Sequence, residues 1–260
     1  MKIKVIILYL MMSLGAYAQD LKENKDIENL FVDAGVNGTF ALYDPLKKEY
    51  VGHNGARANT RHIPASSYKI AHTLIGLAVG AVSDVDEILP YGGKPAYLKI
   101  WEKNMSLRDA IKISNVPIYQ ALSRRIGIET MKKGLKRLQY GNMQVGDIVD
   151  QFWLGGPLEI SAFEQITFLN KLAREELPFL KIHQQQVKEI TVNEETDDYI
   201  LHAKSGLTNA SDPGIGWWVG WVNRDGTIYP FALNIDILGE QYAAKREELA
   251  RAALSKLGLI

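Results

Sequence analysis

Residues 70–80, Ile70-Ala71-His72-Thr73-Leu74-Ile75-Gly76-Leu77-Ala78-Val79-Gly80, are apolar on nearly every side. A helix of this composition is buried all round rather than laid on a surface, so the rest of the chain has to be wrapped about it. Directly ahead stands Pro64-Ala65-Ser66-Ser67-Tyr68-Lys69. If the helix starts at or just after Ser66, Ser66 and Lys69 share one face. A lysine at the head of a buried helix is costly as a cation, so its pKa is pushed down. An unprotonated lysine is a base that can activate a serine hydroxyl, and the N–H groups of a helix start suit a developing oxyanion. Taken alone, Ser-x-x-Lys is better read as a helix cap followed by a solvated lysine. Its weight comes from the rest of the chain.

The 260 residues allow one large domain or two small ones, and either could bury a full core. Thirty basic residues balance thirty acidic ones. No nucleic-acid groove and no polybasic membrane patch is expected, and a substrate is not recruited by bulk charge. Residues 1–18 read as a secretory signal: Lys2 and Lys4, an apolar stretch from Val5 to Leu14, then Ala16-Tyr17-Ala18. The apolar run is too short for a comfortable membrane anchor. With no cysteine there is no disulfide framework and no thiolate metal site. No His or acidic cluster has metal-ligand spacing. These features predict an exported, periplasmic protein with no metal and no stable membrane anchor.

Helical spacing at Ile27, Leu30 and Phe31 ends at Gly35, and strands over 38–43 and 49–52 flank a turn at 44–48. The middle of the chain is mostly helical. Ser106 with Asp109, and Ser161 with Glu164, read as capping boxes. Ser114-Asn115-Val116 reads as a short linker, with Pro117 opening the next helix. Residues 147–160 form a loop with unusually apolar contents. Strands follow over 199–204, 216–222 and 228–236, with Asp225-Gly226 as a hairpin turn. Pro230 suggests an edge or a bulge, and a last helix runs from about 241 to 257. The expectation is an α+β fold: an antiparallel sheet flanked by the terminal helices, with an inserted helical subdomain at roughly 71–190. Residues 19–260 are expected to form a single domain.

Four short motifs stand in order: Ser66-x-x-Lys69, Ser114-x-Val116, Tyr140-Gly141-Asn142 and Lys204-Ser205-Gly206. A related set, Ser-x-x-Lys with Ser-Asp-Asn and Lys-Thr-Gly, marks class A β-lactamases and penicillin-binding proteins. The set found here, with its spacing, closely resembles the class D (oxacillinase-type) serine β-lactamases from about Gly38 to the C-terminus. Gly38-Thr39-Phe40, Gly216-Trp217-Trp218-Val219-Gly220-Trp221 and Phe231-Ala232-Leu233-Asn234 are also typical of that family.

The resemblance implies a β-lactamase/transpeptidase-like fold and a small-molecule β-lactam substrate. Ser66 would be the nucleophile. Lys69 would carry a reversible CO2-derived carbamate acting as general base, with no other cofactor. Trp153, a donor only, matches the family tryptophan that stabilises the carbamate. Ser114 would relay a proton to the leaving nitrogen, and Val116 would wall the pocket. Lys204, Ser205 and Gly206 would face the substrate, and Arg246 would bind its carboxylate through a two-pronged fork. The N–H groups of Ser66 and Leu207 would form the oxyanion hole. Tyr140 and Asn142 are assigned a structural role, the tryptophans of 217–221 the sheet core, and His72 and His202 no role. Ser67-Tyr68 departs from the commoner Thr-Phe, and Leu207 sits at a variable position that shapes substrate range. Two other readings stay open: a D-Ala-D-Ala peptidase, and a β-lactam sensor that acylates without turnover. The expected assembly is a monomer or homodimer.

Overall fold

Both ends of the chain contribute to one sheet. The computed structural model describes residues 19–260, and the expected signal peptide at 1–18 lies outside them. β1 (Lys22–Glu23), α1 (Lys25–Ala34), β2 (Gly38–Asp44), β3 (Glu49–His53) and α2 (Gly55–Asn59) lead to a 3₁₀ turn at Ala65–Tyr68 and to α3 (Lys69–Ala78). Then come α4 (Leu107–Lys112), α5 (Val116–Ile126), α6 (Ile128–Leu138), α7 (Ala162–Ala173) and α8 (Lys181–Ile190). β4 (Val192–Glu195), β5 (Tyr199–Thr208), β6 (Gly214–Arg224), β7 (Thr227–Ile237) and α9 (Tyr242–Lys256) complete the chain.

The sheet order is β1-β3-β2-β7-β6-β5-β4. Only the short β1–β3 pairing is parallel. β2 and β7 close the sheet across most of the sequence, from Gly38–Ile235 to Leu42–Phe231. The β6–β7 hairpin turns at Asp225-Gly226, both left-handed at φ 52° and 73°, as a type I′ turn requires. Pro230 is neither at a sheet edge nor in a bulge. It pairs with Trp221 in the middle of the sheet, one residue beyond the last β2–β7 pair, where its missing N–H leaves no β2 partner wanting.

The sheet separates two cores. On one face α1 and α9 bury Ile27, Phe31, Leu249 and Leu254 against Phe40, Trp218, Phe231 and Leu233. On the other lies the larger core built around α3, in which every residue from Lys69 to Leu77 is buried. α7 also rests on this face, its N-terminus fixed by a complete Ser161–Glu164 capping box. Val116 is the first residue of α5 rather than part of a linker, because Asn115 caps the helix by accepting from the Ile118 N–H at 3.1 Å. Strands β5 to β7 run longer than their sequence pattern indicates. α8 and β4 escape that pattern because both are largely polar; β4 is a charged edge strand of the kind that resists pairing with other chains. Among the described residues no helix is long and apolar enough to cross a membrane.

Candidate active site

Ser66 is the second residue of the 3₁₀ turn that feeds α3. At three residues per turn, side chains i and i+3 eclipse. This brings Lys69 Nζ within 2.7 Å of Ser66 Oγ. Ala65, just before the nucleophile, is held at φ 49°, a left-handed conformation that costs a non-glycine residue on the order of 1 kcal/mol. Burial, followed by the charge of Lys204, holds the Lys69 amine well below the usual lysine range. A neutral amine at hydrogen-bond distance from a serine hydroxyl is a base–nucleophile pair. The Tyr119 ring lies 5.1 Å beneath Lys69 Nζ, and its hydroxyl is 2.8 Å from Thr73 Oγ1.

A second pair faces the first. Ser114, left-handed at φ 55° between α4 and α5, presents its Oγ to Lys204 Nζ, which also donates to the Ser205 carbonyl at 2.9 Å. Burial and the neighbouring Arg246 push Lys204 down to about 7. Arg246, on α9, donates to the carbonyls of Gly206 and Ala243. Among the described residues none of Lys69, Lys204 and Arg246 is bonded to a carboxylate. Three basic side chains with no carboxylate bonded to them make a site suited to an anion.

Gly206 sets how closely β5 approaches the nucleophile. A Cβ there would lie 2.8 Å from Pro64 O, 3.0 Å from Ser67 N and 3.3 Å from Ser66 N. Any side chain would push the strand off the turn. Ser205 is half-buried, Leu207 is exposed, and Val116 sits half-buried at the start of α5. Val116 stands two residues after Ser114, as the first residue of α5.

The Tyr140-Gly141-Asn142 motif pins the apolar loop. Asn142 donates to Pro157 O at 2.8 Å and accepts from the N–H groups of Gln144 and Glu159. That loop buries Phe152, Trp153 and Leu158. The Trp153 ring packs 6.0 Å from Tyr68 and 5.0 Å from His72, the residues before and one turn after Lys69. Its Nε1–H is buried without an acceptor. An unpaired buried donor costs about 1–3 kcal/mol, and a group carried on Lys69 that accepts hydrogen bonds would remove that cost. Two positioning contacts were not read from the sequence. Trp217 Nε1 donates to Ile63 O at 2.8 Å, and Gln165 of α7 donates to Ser67 Oγ at 2.9 Å. The sequence does carry a signal for Gln165: it is a polar residue on the stripe of Ala162, Ile166, Leu169 and Leu172. No group of His, Asp and Glu side chains able to hold a metal occurs among the described residues.

Comparison with known proteins gives a consistent answer. Residues 38–255 match the penicillin binding protein transpeptidase domain. The β-lactamase OXA-5 of Pseudomonas aeruginosa is 40% identical, with 94% of this chain and 93% of that protein aligned. For OXA-48 of Klebsiella pneumoniae the identity is 36%, over 94% and 92% of the two chains. The crystal structure of FUS-1 (OXA-85), a class D β-lactamase from Fusobacterium nucleatum subsp. polymorphum, superposes with a TM-score of 0.89 at 45% identity. It covers 92% of this chain and all of that one. The chain belongs to the class D β-lactamase family. For a class D β-lactamase the Ser67-Tyr68 departure is mild in its packing: the Tyr68 ring is buried among His72, Tyr140, Phe152 and Trp153, and Ser67 keeps a hydroxyl that donates to Pro64 O at 2.7 Å.

Proposed function

We propose that this class D β-lactamase hydrolyses penicillins and related β-lactams through an acyl ester on Ser66, in the periplasm to which residues 1–18 direct it. The observation that carries this is the buried Ser66–Lys69 pair at 2.7 Å, with the proton affinity of Lys69 held well below the usual lysine range by burial and by Lys204. Lys204 and Arg246, free of internal carboxylates, attract and orient the carboxylate of the substrate. That seats the β-lactam carbonyl over Ser66. The backbone N–H groups of Ser66 and Leu207 stabilise the oxyanion that forms as Ser66 Oγ adds to the carbonyl carbon. The amide C–N bond then breaks, and Ser114, supplied by Lys204, passes a proton to the departing nitrogen. Water then hydrolyses the ester and regenerates Ser66.

The chain's residues fit a CO2 adduct on Lys69: only a neutral amine adds CO2, burial lowers the proton affinity of this one, and Trp153, packed against Tyr68 and His72, offers a buried, unpaired N–H. When bound, that carbamate supplies a basic oxygen for taking the proton of Ser66 and of the hydrolytic water. Trp153 and Lys69 would hold it, and Val116 would close the pocket wall.

The test is penicillin hydrolysis by the mature protein with and without added bicarbonate, followed by intact mass. Turnover that rises with bicarbonate and leaves no lasting adduct supports the proposal, and Ser66→Ala should abolish it. A stable adduct on Ser66 without turnover would replace it with the sensor or peptidase reading.

A further inference from the structure

Tyr140 and Ser67 are both buried, and neither has a part in the chemistry above. They are joined through a third buried residue. Tyr140 O–H donates to Gln165 Oε1 at 3.3 Å, Gln165 Nε2–H donates to Ser67 Oγ at 2.9 Å, and Ser67 O–H donates to Pro64 O at 2.7 Å. All three side chains are at most 1% exposed. Every donor points the same way along this chain of bonds, so each polarises the next. It begins in the Tyr-Gly-Asn motif, crosses α7 and ends on the carbonyl that precedes the strained Ala65. The Ser67 N–H donates to the same Pro64 carbonyl at 3.2 Å.

Backbone strain of this kind persists only where the surroundings over-determine it. The Pro64–Ala65 peptide sits between two constraints: the Gly206 backbone presses from β5, and the hydrogen-bonded chain pulls from α7. α7 is itself anchored, since Arg61 donates through Nε to Glu164 Oε2 at 3.0 Å, next to Gln165. We infer that Gln165 is a positioning residue for the nucleophile: through Ser67 it holds the Pro64–Ala65 peptide so that Ser66 presents its Oγ to Lys69 and its N–H to the oxyanion. This rests on Ser66 being the nucleophile. Gln165 touches neither substrate nor reacting atoms.

The test compares Gln165→Met, which keeps length without hydrogen bonds, Ser67→Ala, the double variant and Ser67→Thr. Single-turnover acylation by a penicillin is followed by intact mass, with melting temperature and the substrate dissociation constant measured alongside. The acylation rate constant is expected to fall at least 10-fold in Gln165→Met and in Ser67→Ala, with the dissociation constant within twofold. The double variant should be no slower than the slower single one, because the bonds act as a unit. Ser67→Thr, which keeps the hydroxyl, should acylate within threefold of wild type. If the variants melt lower yet acylate at the wild-type rate at a temperature where they are folded, Gln165 is only a structural residue and the inference fails. If Gln165→Met does not fold, the Ser67→Ala and Ser67→Thr pair decides on the same criterion. Absence of a wild-type adduct on Ser66 would instead overturn the nucleophile assignment.

Discussion

Replacing Gly206 by alanine tests whether β5 sets the geometry of the nucleophile. Ordinary van der Waals contact for a Cβ begins at 3.4 Å, and the added carbon would lie 2.8 Å from Pro64 O. The strand and the turn must therefore separate by about 0.6 Å. The three nearest neighbours, Pro64 O, Ser67 N and Ser66 N, are all backbone atoms, so no flexible side chain can absorb the shift. β5 is tied along its whole length to β6, and the turn is held by Ser67 and Gln165. Overpacking of this kind costs about 1–3 kcal/mol. For a chain of this size, at about 2–4 °C per kcal/mol, that corresponds to a melting temperature lower by about 2–12 °C. A displacement of 1 Å at a reacting group costs roughly 100-fold in rate, so 0.6 Å should cost roughly 10- to 20-fold in kcat/KM. Thermal melting and penicillin kinetics of Gly206→Ala check both numbers. Unchanged melting and kinetics would refute the close approach. A lowered melting temperature with full kcat/KM would show that the approach stabilises the fold without positioning Ser66.

Other outcomes follow from the same site. Lys69 and Lys204 are both held below the lysine range, so between pH of about 7 and 10 the unfolded chain binds more protons and stability should rise with pH. Above about pH 10 it should fall again, because burial raises Tyr68, Tyr119 and Tyr140 and the folded chain then keeps the extra protons; melting scans across pH 6–11 check the sign. Lys204 loses its charge near 7, so kcat/KM should decline on the alkaline side of that value, and the limb should move up in Arg246→Ala, where the neighbouring cation is gone. A limb that stays in place would mean that Lys204 is not the titrating group. Trp153→Phe removes an unpaired buried donor. It should leave the melting temperature within about 2 °C while weakening CO2 uptake at Lys69, read as loss of the 13C carbamate signal under labelled bicarbonate. An undiminished signal would remove Trp153 from that role.

What the sequence disclosed, and what it did not, divides by the range of the interaction. The burial of α3 and the caps at Ser106 and Ser161 depend on residues within a few positions of one another. So does the type I′ turn at Asp225-Gly226. Local patterns of this kind are visible in a linear chain. The Ser66–Lys69 contact belongs to this class too, although the turn proved to be 3₁₀ rather than α-helical. The Ser114–Lys204 pair joins residues 90 positions apart, and only the ordered motif set pointed to it. Gln165 has no motif of its own, and its partner lies 98 residues away. Its one trace is a polar residue in an apolar stripe, and the same trace fits any satisfied buried amide. Pro230 misled in the other direction: a missing N–H is harmless wherever the neighbouring strand has already ended, and register is not written in composition.

The polarity of the site explains why its lysines are useful. The proposed function gives Lys69 and Lys204 opposite tasks, one as a base and the other as a proton carrier and anion anchor, yet both are buried and neither is hydrogen-bonded to an acid. A carboxylate beside Lys69 would restore its charge and end its use as a base. Burial does the reverse for both, and repulsion adds to it: the charge of Lys204 lowers Lys69 further, and that of Arg246 lowers Lys204. The three basic groups run from Lys69, fully buried, through Lys204 to Arg246, and the outer ones bind a proton more readily than Lys69 does. On the proposed function, the substrate carboxylate would bind on that outer side, between Lys204 and Arg246. Bound there, it would raise the proton affinity of Lys204 and so keep that amine protonated, ready to resupply Ser114, at a pH where the free site is partly deprotonated. Substrate charge thus primes the proton donor, and an ester or amide of the carboxylate should lose kcat as well as affinity. Equal kcat for the neutral analogue would break this link between binding and proton transfer.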